Sequence, residues 1–116
     1  MSDTPLINAD ILDDMVEYIG LEALRPVMEL FIGESRTLSA TITGGARDPA
    51  KRDAVRRAAH SLKSSAGQLG AAALSEAAAE LERAAESGAP LGDGAALVAR
   101  LADATGWALT ERLKES

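Results

Sequence analysis

The sequence predicts an all-α fold, an antiparallel four-helix bundle with a short additional N-terminal helix. Three observations predict it. Apolar residues recur three and four apart along most of the chain, the spacing that places them on one helix face. Aromatic residues make up only 3% of the 116 residues (Tyr18, Phe31 and Trp107), and the β-branched residues that strands prefer are sparse. Glycine and proline interrupt the pattern at a few points and divide it into five runs. Alanine and leucine are left to fill the core, and small side chains let helices approach closely.

The first helix is expected from about Ala9 to Ile19, with Asn8 as its N-cap and Gly20 as its end. Ile11, Leu12, Met15, Val16 and Ile19 form its apolar stripe. The second is expected from about Leu21 to Ile42, on Leu24, Val27, Met28, Phe31, Leu38 and Ile42. Pro26 sits in its first turns, where proline is best tolerated, and Gly44-Gly45 stops it. Phe31 reads as a core residue.

The third helix is expected to start near Pro49 behind an Asp48 cap and to end at Gly70. Its seam, Val55, Ala59, Leu62, Ala66 and Leu69, alternates steps of four and three, a bundle-type pattern. The fourth runs from about Ala72 to Ser87 on Leu74, Ala77, Ala78, Leu81 and Ala85. Gly88 to Gly94, with Pro90 inside it, reads as a loop. The fifth runs from about Ala95 to Leu113 on Leu97, Val98, Leu101, Thr105, Leu109 and Leu113. Trp107 lies off this seam, as a rim contact or an exposed aromatic. Four long helices with short connections suit a bundle whose end the first helix covers. Residues 1–116 are expected to form one domain.

Composition excludes several function classes. A net charge of −6 argues against nonspecific nucleic-acid binding, which needs lysine and arginine to neutralise phosphates. With no cysteine there is neither a disulfide framework nor a thiolate metal site, and one histidine makes a zinc or iron site improbable. The acidic residues Asp10, Asp13, Asp14 and Glu17 read as dipole-favoured residues near a helix start rather than a cation site. No apolar run reaches the roughly 18–20 residues that span a membrane. The start, Met1-Ser2-Asp3-Thr4, lacks the basic flank of a signal peptide. The expectation is a soluble cytoplasmic monomer.

The chemistry concentrates at the only histidine, His60, in the run His60-Ser61-Leu62-Lys63-Ser64-Ser65. On an ideal wheel His60 falls roughly 140° from the centre of the third-helix seam, so it faces water. Arg56, Arg57, Lys63, Ser64 and Gly67 fall on the same side, a local basic face on an acidic protein. Ser64 and Gly67 leave the approach to the ring uncrowded, and Ser65 lies nearer the core, for packing or for the site. A neutral imidazole uses one ring nitrogen as nucleophile while the other donates the hydrogen bond that fixes the tautomer. Lys63 neutralises charge on an arriving phosphoryl group. No phosphate-cradling loop and no dinucleotide fingerprint is present, so the chain has no readable ATP site. It is expected to carry a phosphoryl group delivered by another protein, without turnover of its own.

The stretch from His60 to Ala71, His-Ser-Leu-Lys-Ser-Ser-Ala-Gly-Gln-Leu-Gly-Ala, with Leu74 beyond it, resembles the signature of histidine-containing phosphotransfer (HPt) domains. An acidic first helix, a phenylalanine in the second and a Glu-Leu-Glu run in the fourth extend the resemblance over nearly the whole chain. The resemblance implies a free-standing four-helix bundle in a multistep phosphorelay, with His60 phosphorylated and Lys63 beside the phosphate. The implied partners are receiver domains of response regulators and hybrid histidine kinases, which supply the aspartate and the bound Mg²⁺; no cofactor of the chain's own is implied. Where relatives often carry a Gln or Glu that contacts the histidine ring, this chain has Glu82, at the edge of the fourth-helix seam. Arg56, Arg57, Ser64 and Gly67 are then candidates for the partner-binding rim. Ser64 stands where many relatives have glycine, and Gly67 where alanine is more usual; the latter weakens the helix by up to about 1 kcal/mol. Two alternatives remain from the residues alone. One is an adaptor bundle that binds a receiver or kinase without phosphorylation. The other is a dimerisation and phosphoacceptor domain of kinase type.

Overall fold

The computed structural model describes residues 3–114. Among them there are five α-helices and no strand: α1 (Ala9–Ile19), α2 (Leu21–Gly45), α3 (Arg52–Gln68), α4 (Ala72–Ser87) and α5 (Gly92–Lys114). A single 3₁₀ turn, Pro49–Lys51, leads into α3. The fold is an all-helical bundle. α2 and α4 each pack on both α3 and α5, while α1 lies on α2.

The helix ends follow from local chemistry. The Asn8 side chain accepts from the backbone N–H groups of Asp10 and Ile11, at 3.1 and 3.3 Å, two of the donors a helix start leaves unpaired. Gly20, at φ +85°, closes α1 through a 2.8 Å bond from its N–H to the Val16 carbonyl and turns the chain directly into α2. Asp48 caps the 3₁₀ turn by accepting from the Ala50 N–H at 3.0 Å.

Two boundaries differ from the sequence reading. Gly44 and Gly45 do not stop α2; they are its last two residues. Gly45 is buried, and a Cβ there would lie 2.9 Å from Val55 Cγ2, so this glycine serves the close approach of α2 to α3. The loop after α4 is also shorter. α5 begins at Gly92 rather than Ala95, and a Cβ on Gly94 would stand 3.1 Å from Leu81 Cδ1. Both glycines look like breakers in sequence and are contact residues in the fold.

The core is aliphatic. Leu24, Met28 and Ile42 of α2, Val55 and Leu62 of α3, Leu74 and Leu81 of α4, and Val98 and Leu109 of α5 are all at most 1% exposed. Each fully buried leucine, isoleucine or valine is worth about 1.5–3 kcal/mol in removal from water. The whole α3 seam, Val55 to Leu69, is buried as its spacing predicts, and Phe31 is buried too. α1 departs from its pattern: only Leu12 is fully buried, while Ile11 and Ile19 stay exposed, and this helix packs mainly on α2.

The segment before α1 ties down the α3–α4 connection. The Asn8 N–H donates to the Gly70 carbonyl at 2.7 Å, and the Ala73 N–H donates to the Pro5 carbonyl at 3.0 Å. The Thr4 hydroxyl donates to Glu76, and Arg112 pairs with Asp13 across α5 and α1. Gly70 adopts φ +77°, a left-handed conformation that favours glycine.

Candidate functional site

α3 and α4 meet with their residues in opposite order, which brings His60 and Lys63 of α3 to Glu82 of α4. His60 is exposed as the wheel predicts, with 58% of its side chain open to solvent. Its Nδ1 lies 2.7 Å from Glu82 Oε2. The other carboxylate oxygen, Oε1, accepts from Lys63 Nζ at 2.8 Å. Glu82 itself is only 11% exposed in its side chain, set beside Leu81 and Ala85 at the seam edge. One nearly buried carboxylate therefore joins the imidazole to the ammonium group.

Electrostatics keeps that carboxylate ionised. The hydrogen bond from Lys63 is the largest influence and lowers the Glu82 pKa below the ordinary glutamate value. Burial opposes it, the His60 hydrogen bond and the charge of Lys63 add to it, and the balance is a lowered pKa. An ionised carboxylate only accepts, so His60 donates its Nδ1–H and keeps the lone pair on Nε2. The ring is thus oriented with its acceptor nitrogen on the side away from Glu82.

The expected basic face is more neutral than the sequence suggests. Asp53, one residue into α3, binds both arginines: Arg56 Nη2 lies 3.0 Å from Oδ1 and Arg57 Nε lies 3.2 Å from Oδ2. Spacing of three and four residues carried this signal, and the wheel reading passed over it. Ser64 and Gly67 are exposed on the same side as His60. A Cβ at Gly67 would lie 3.3 Å from Ser75 Oγ, so this glycine also borders α4. Ser65 is half-buried and donates to Glu34 Oε1 of α2 at 2.9 Å. Trp107 is 70% exposed. Asp13 is held by Arg112, and among the described residues no group of three His, Cys, Asp or Glu side chains could hold a metal ion.

Three further features were missed in sequence. Ser75 donates to the Lys63 carbonyl at 2.9 Å, and Arg52 reaches backbone carbonyls at the end of α4. Leu30, 71% exposed, lines a hollow with Met15, Val27, Ser65 and Gln68. Leu30 lies off the main α2 stripe, so its exposure beside α3 had only a weak periodic signal.

A histidine on a helix surface, oriented through Nδ1 and followed one turn later by a lysine, sits within a span that a family model matches: the Hpt domain model covers residues 26–115. The chain belongs to the Hpt domain family. The match takes in α3, α4, α5 and all but the first turns of α2. Searches of curated proteins and of solved structures gave no match. Hpt domains act in histidine phosphotransfer within phosphorelays, as phosphocarriers rather than enzymes, and interact with receiver domains. No helix among the described residues of this Hpt domain is long and apolar enough to cross a membrane.

Proposed function

We propose that this Hpt domain carries a phosphoryl group on Nε2 of His60, taking it from the aspartyl phosphate of one receiver domain and giving it to the aspartate of another. The observation that carries the reading is the 2.7 Å contact of Nδ1 with Glu82, on a ring otherwise open to solvent. It leaves one nitrogen with a lone pair facing the side from which a partner arrives. As the P–N bond forms, the P–O bond to the partner's aspartate breaks and its carboxylate is regenerated. The ring becomes a phosphoimidazolium whose Nδ1–H stays on Glu82, which stabilises the positive charge. Lys63, one turn away, meets the phosphoryl oxygens.

The aspartate and the Mg²⁺ belong to the receiver in this reading, and the chain needs no cofactor of its own. Arg56, Arg57, Ser64 and Gly67 form the rim around His60, with the arginines presented as pairs with Asp53 rather than as free cations. The hollow lined by Val27 and Leu30 offers apolar contact beside that rim. The test is acid-labile phosphate transfer from phosphorylated receiver domains to the parent protein and to His60→Gln. Transfer to the parent and none to the variant, with helicity and urea midpoint preserved, is the expected result. A His60→Gln protein that still accepts phosphate would overturn the assignment, and an adaptor would bind receivers without labelling.

A further inference from the structure

Glu82 reaches His60 only if α4 is held at one position along α3, and two contacts on either side of it fix that position. Toward the start of α4, Ser75 Oγ donates to the backbone carbonyl of Lys63 at 2.9 Å. Toward its end, the Arg52 guanidinium donates to the carbonyls of Ala85, through Nε at 3.1 Å, and of Ala84, through Nη2 at 2.8 Å, and also to the Ala89 carbonyl. These contacts join the first residue of α3 to the last turn of α4 and to Ala89 just beyond it, where the Ala84 carbonyl also closes the helix by accepting from the Gly88 and Ala89 N–H groups. A fixed positive charge at a helix C-terminus is favoured there as well. Arg52 is half-buried and binds all three carbonyls with one planar group, a geometry a flexible ammonium cannot reproduce.

We infer that Arg52 and Ser75 are positioning residues for the imidazole: together they set the sliding register of α4 on α3 and so hold the Glu82 carboxylate at Nδ1 of His60. A slide of one helical turn is about 5.4 Å, enough to take a 2.7 Å hydrogen bond between the two helices out of bonding range. Apolar packing in this seam is carried partly by small side chains. The α4 side of it includes Ala77, Ala78 and Ala85, small side chains that interlock weakly. Directional polar contacts at the two ends supply what the alanines do not. Ser75 has a second effect, because its bond partner is the carbonyl of the very residue whose ammonium group meets Glu82. The inference rests on the orienting role given to Glu82 above.

The test reads the tautomer of His60 directly. Imidazole ¹⁵N shifts of the intact protein, recorded where the ring is neutral, give the ratio of Nδ1–H to Nε2–H forms. Arg52→Gln and Ser75→Ala should each lower that ratio by about twofold to tenfold, the span expected when one hydrogen bond is weakened or lost. Arg52→Lys keeps the charge and should restore only part of the parental ratio. It also takes the place of Arg52→Gln if that variant fails to fold. The same substitutions are then made in a Glu82→Ala background, where they should change nothing further, since the carboxylate they position is gone. A folded Ser75→Ala and a folded Arg52 variant that both keep the parental ratio would overturn the inference. So would equal shifts with and without Glu82, which would mark a general loosening of the bundle. If Glu82→Ala alone leaves the ratio unmoved, the orienting role of the carboxylate falls and the inference falls with it. Phosphate transfer to His60 is read in a separate assay and stands or falls independently.

Discussion

Glu82 accepts from His60 through one carboxylate oxygen and from Lys63 through the other, at 2.7 and 2.8 Å. The two cationic-capable groups of the site are therefore coupled through a shared acceptor, and neither can be altered without reaching the other. Lys63 holds the carboxylate ionised, and the ionised carboxylate favours the tautomer that carries its proton on Nδ1 and its lone pair on Nε2.

Lys63→Ala should slow phosphoryl transfer by about tenfold to hundredfold while leaving receiver affinity nearly unchanged. Charge that develops on the transferring group is worth more to a positioned cation than charge already present on the bound partner. The side chain is 35% exposed, which keeps the effect below that of a fully enclosed donor. Rapid-quench transfer at saturating receiver measures the chemical step, and a parallel binding titration measures affinity. Equal transfer rates for variant and parent would remove Lys63 from the reaction.

Glu82→Gln should flatten the acid side of the stability profile. In the folded protein the Glu82 pKa is lowered by the Lys63 hydrogen bond, against burial, with His60 adding to it. The unfolded chain then takes up a proton at a higher pH than the folded one does, so stability rises with pH between the two values. This contribution is complete above the ordinary glutamate value and is lost as pH falls through the lowered one. The difference in urea midpoint between parent and Glu82→Gln should be constant above that range, narrow as pH falls through it, and level off below it. A difference that does not change with pH would mean that the carboxylate gains nothing from its partners on folding.

The residues that the sequence made legible are those whose signal is periodic or local. Asn8, Gly20 and the seam from Val55 to Leu69 were readable because caps and three-four spacing act within one helix. His60 was readable as exposed for the same reason. Glu82 came into view only through family resemblance, because its partner lies 22 residues away and no local rule links them. Arg52 is harder still: it bonds to carbonyls, and every residue has one, so its side chain names no partner in the sequence. Gly45 and Gly94 misled for a related reason. A glycine that ends a helix and a glycine that lets another helix come close look alike until the neighbour is in place. Asp53 was the avoidable miss, since its pairs with Arg56 and Arg57 lie within one helix turn.

Gly70→Ala should destabilise the protein by about 1–3 kcal/mol. The residue sits at φ +77°, where a Cβ is strained whatever the surrounding space. A Cβ here would also stand 3.1 Å from the Asn8 carbonyl oxygen and 3.2 Å from Ile11. The substitution therefore acts on two links at once, the α3–α4 turn and the seat of the N-terminal segment on it. Chemical denaturation should show a lower midpoint with an unchanged slope, and proteolysis should find the segment before α1 more accessible. A midpoint within experimental error of the parent would show that the turn accommodates a side chain freely.

Thr105→Val should stabilise the fold. Thr105 is 0% exposed, and its hydroxyl has no hydrogen-bond partner among the described residues. A buried hydroxyl without a partner loses its hydration and regains nothing, a penalty of about 1–3 kcal/mol on mutational scales. Valine replaces the hydroxyl with a methyl group of nearly the same shape and is at home in the preferred helical rotamer. Its lower helix propensity relative to alanine is irrelevant here, because threonine is equally β-branched. The expected gain is about 1 kcal/mol, which for a chain of this size corresponds to a rise in Tm of about 4 °C. Thr105 lies on α5 and His60 on α3, so transfer through His60 should keep its parental rate. Differential scanning calorimetry of the variant decides the matter. A lower Tm would mean that the hydroxyl is bonded after all, to a helix carbonyl or to a buried water, and that the valine has broken that bond.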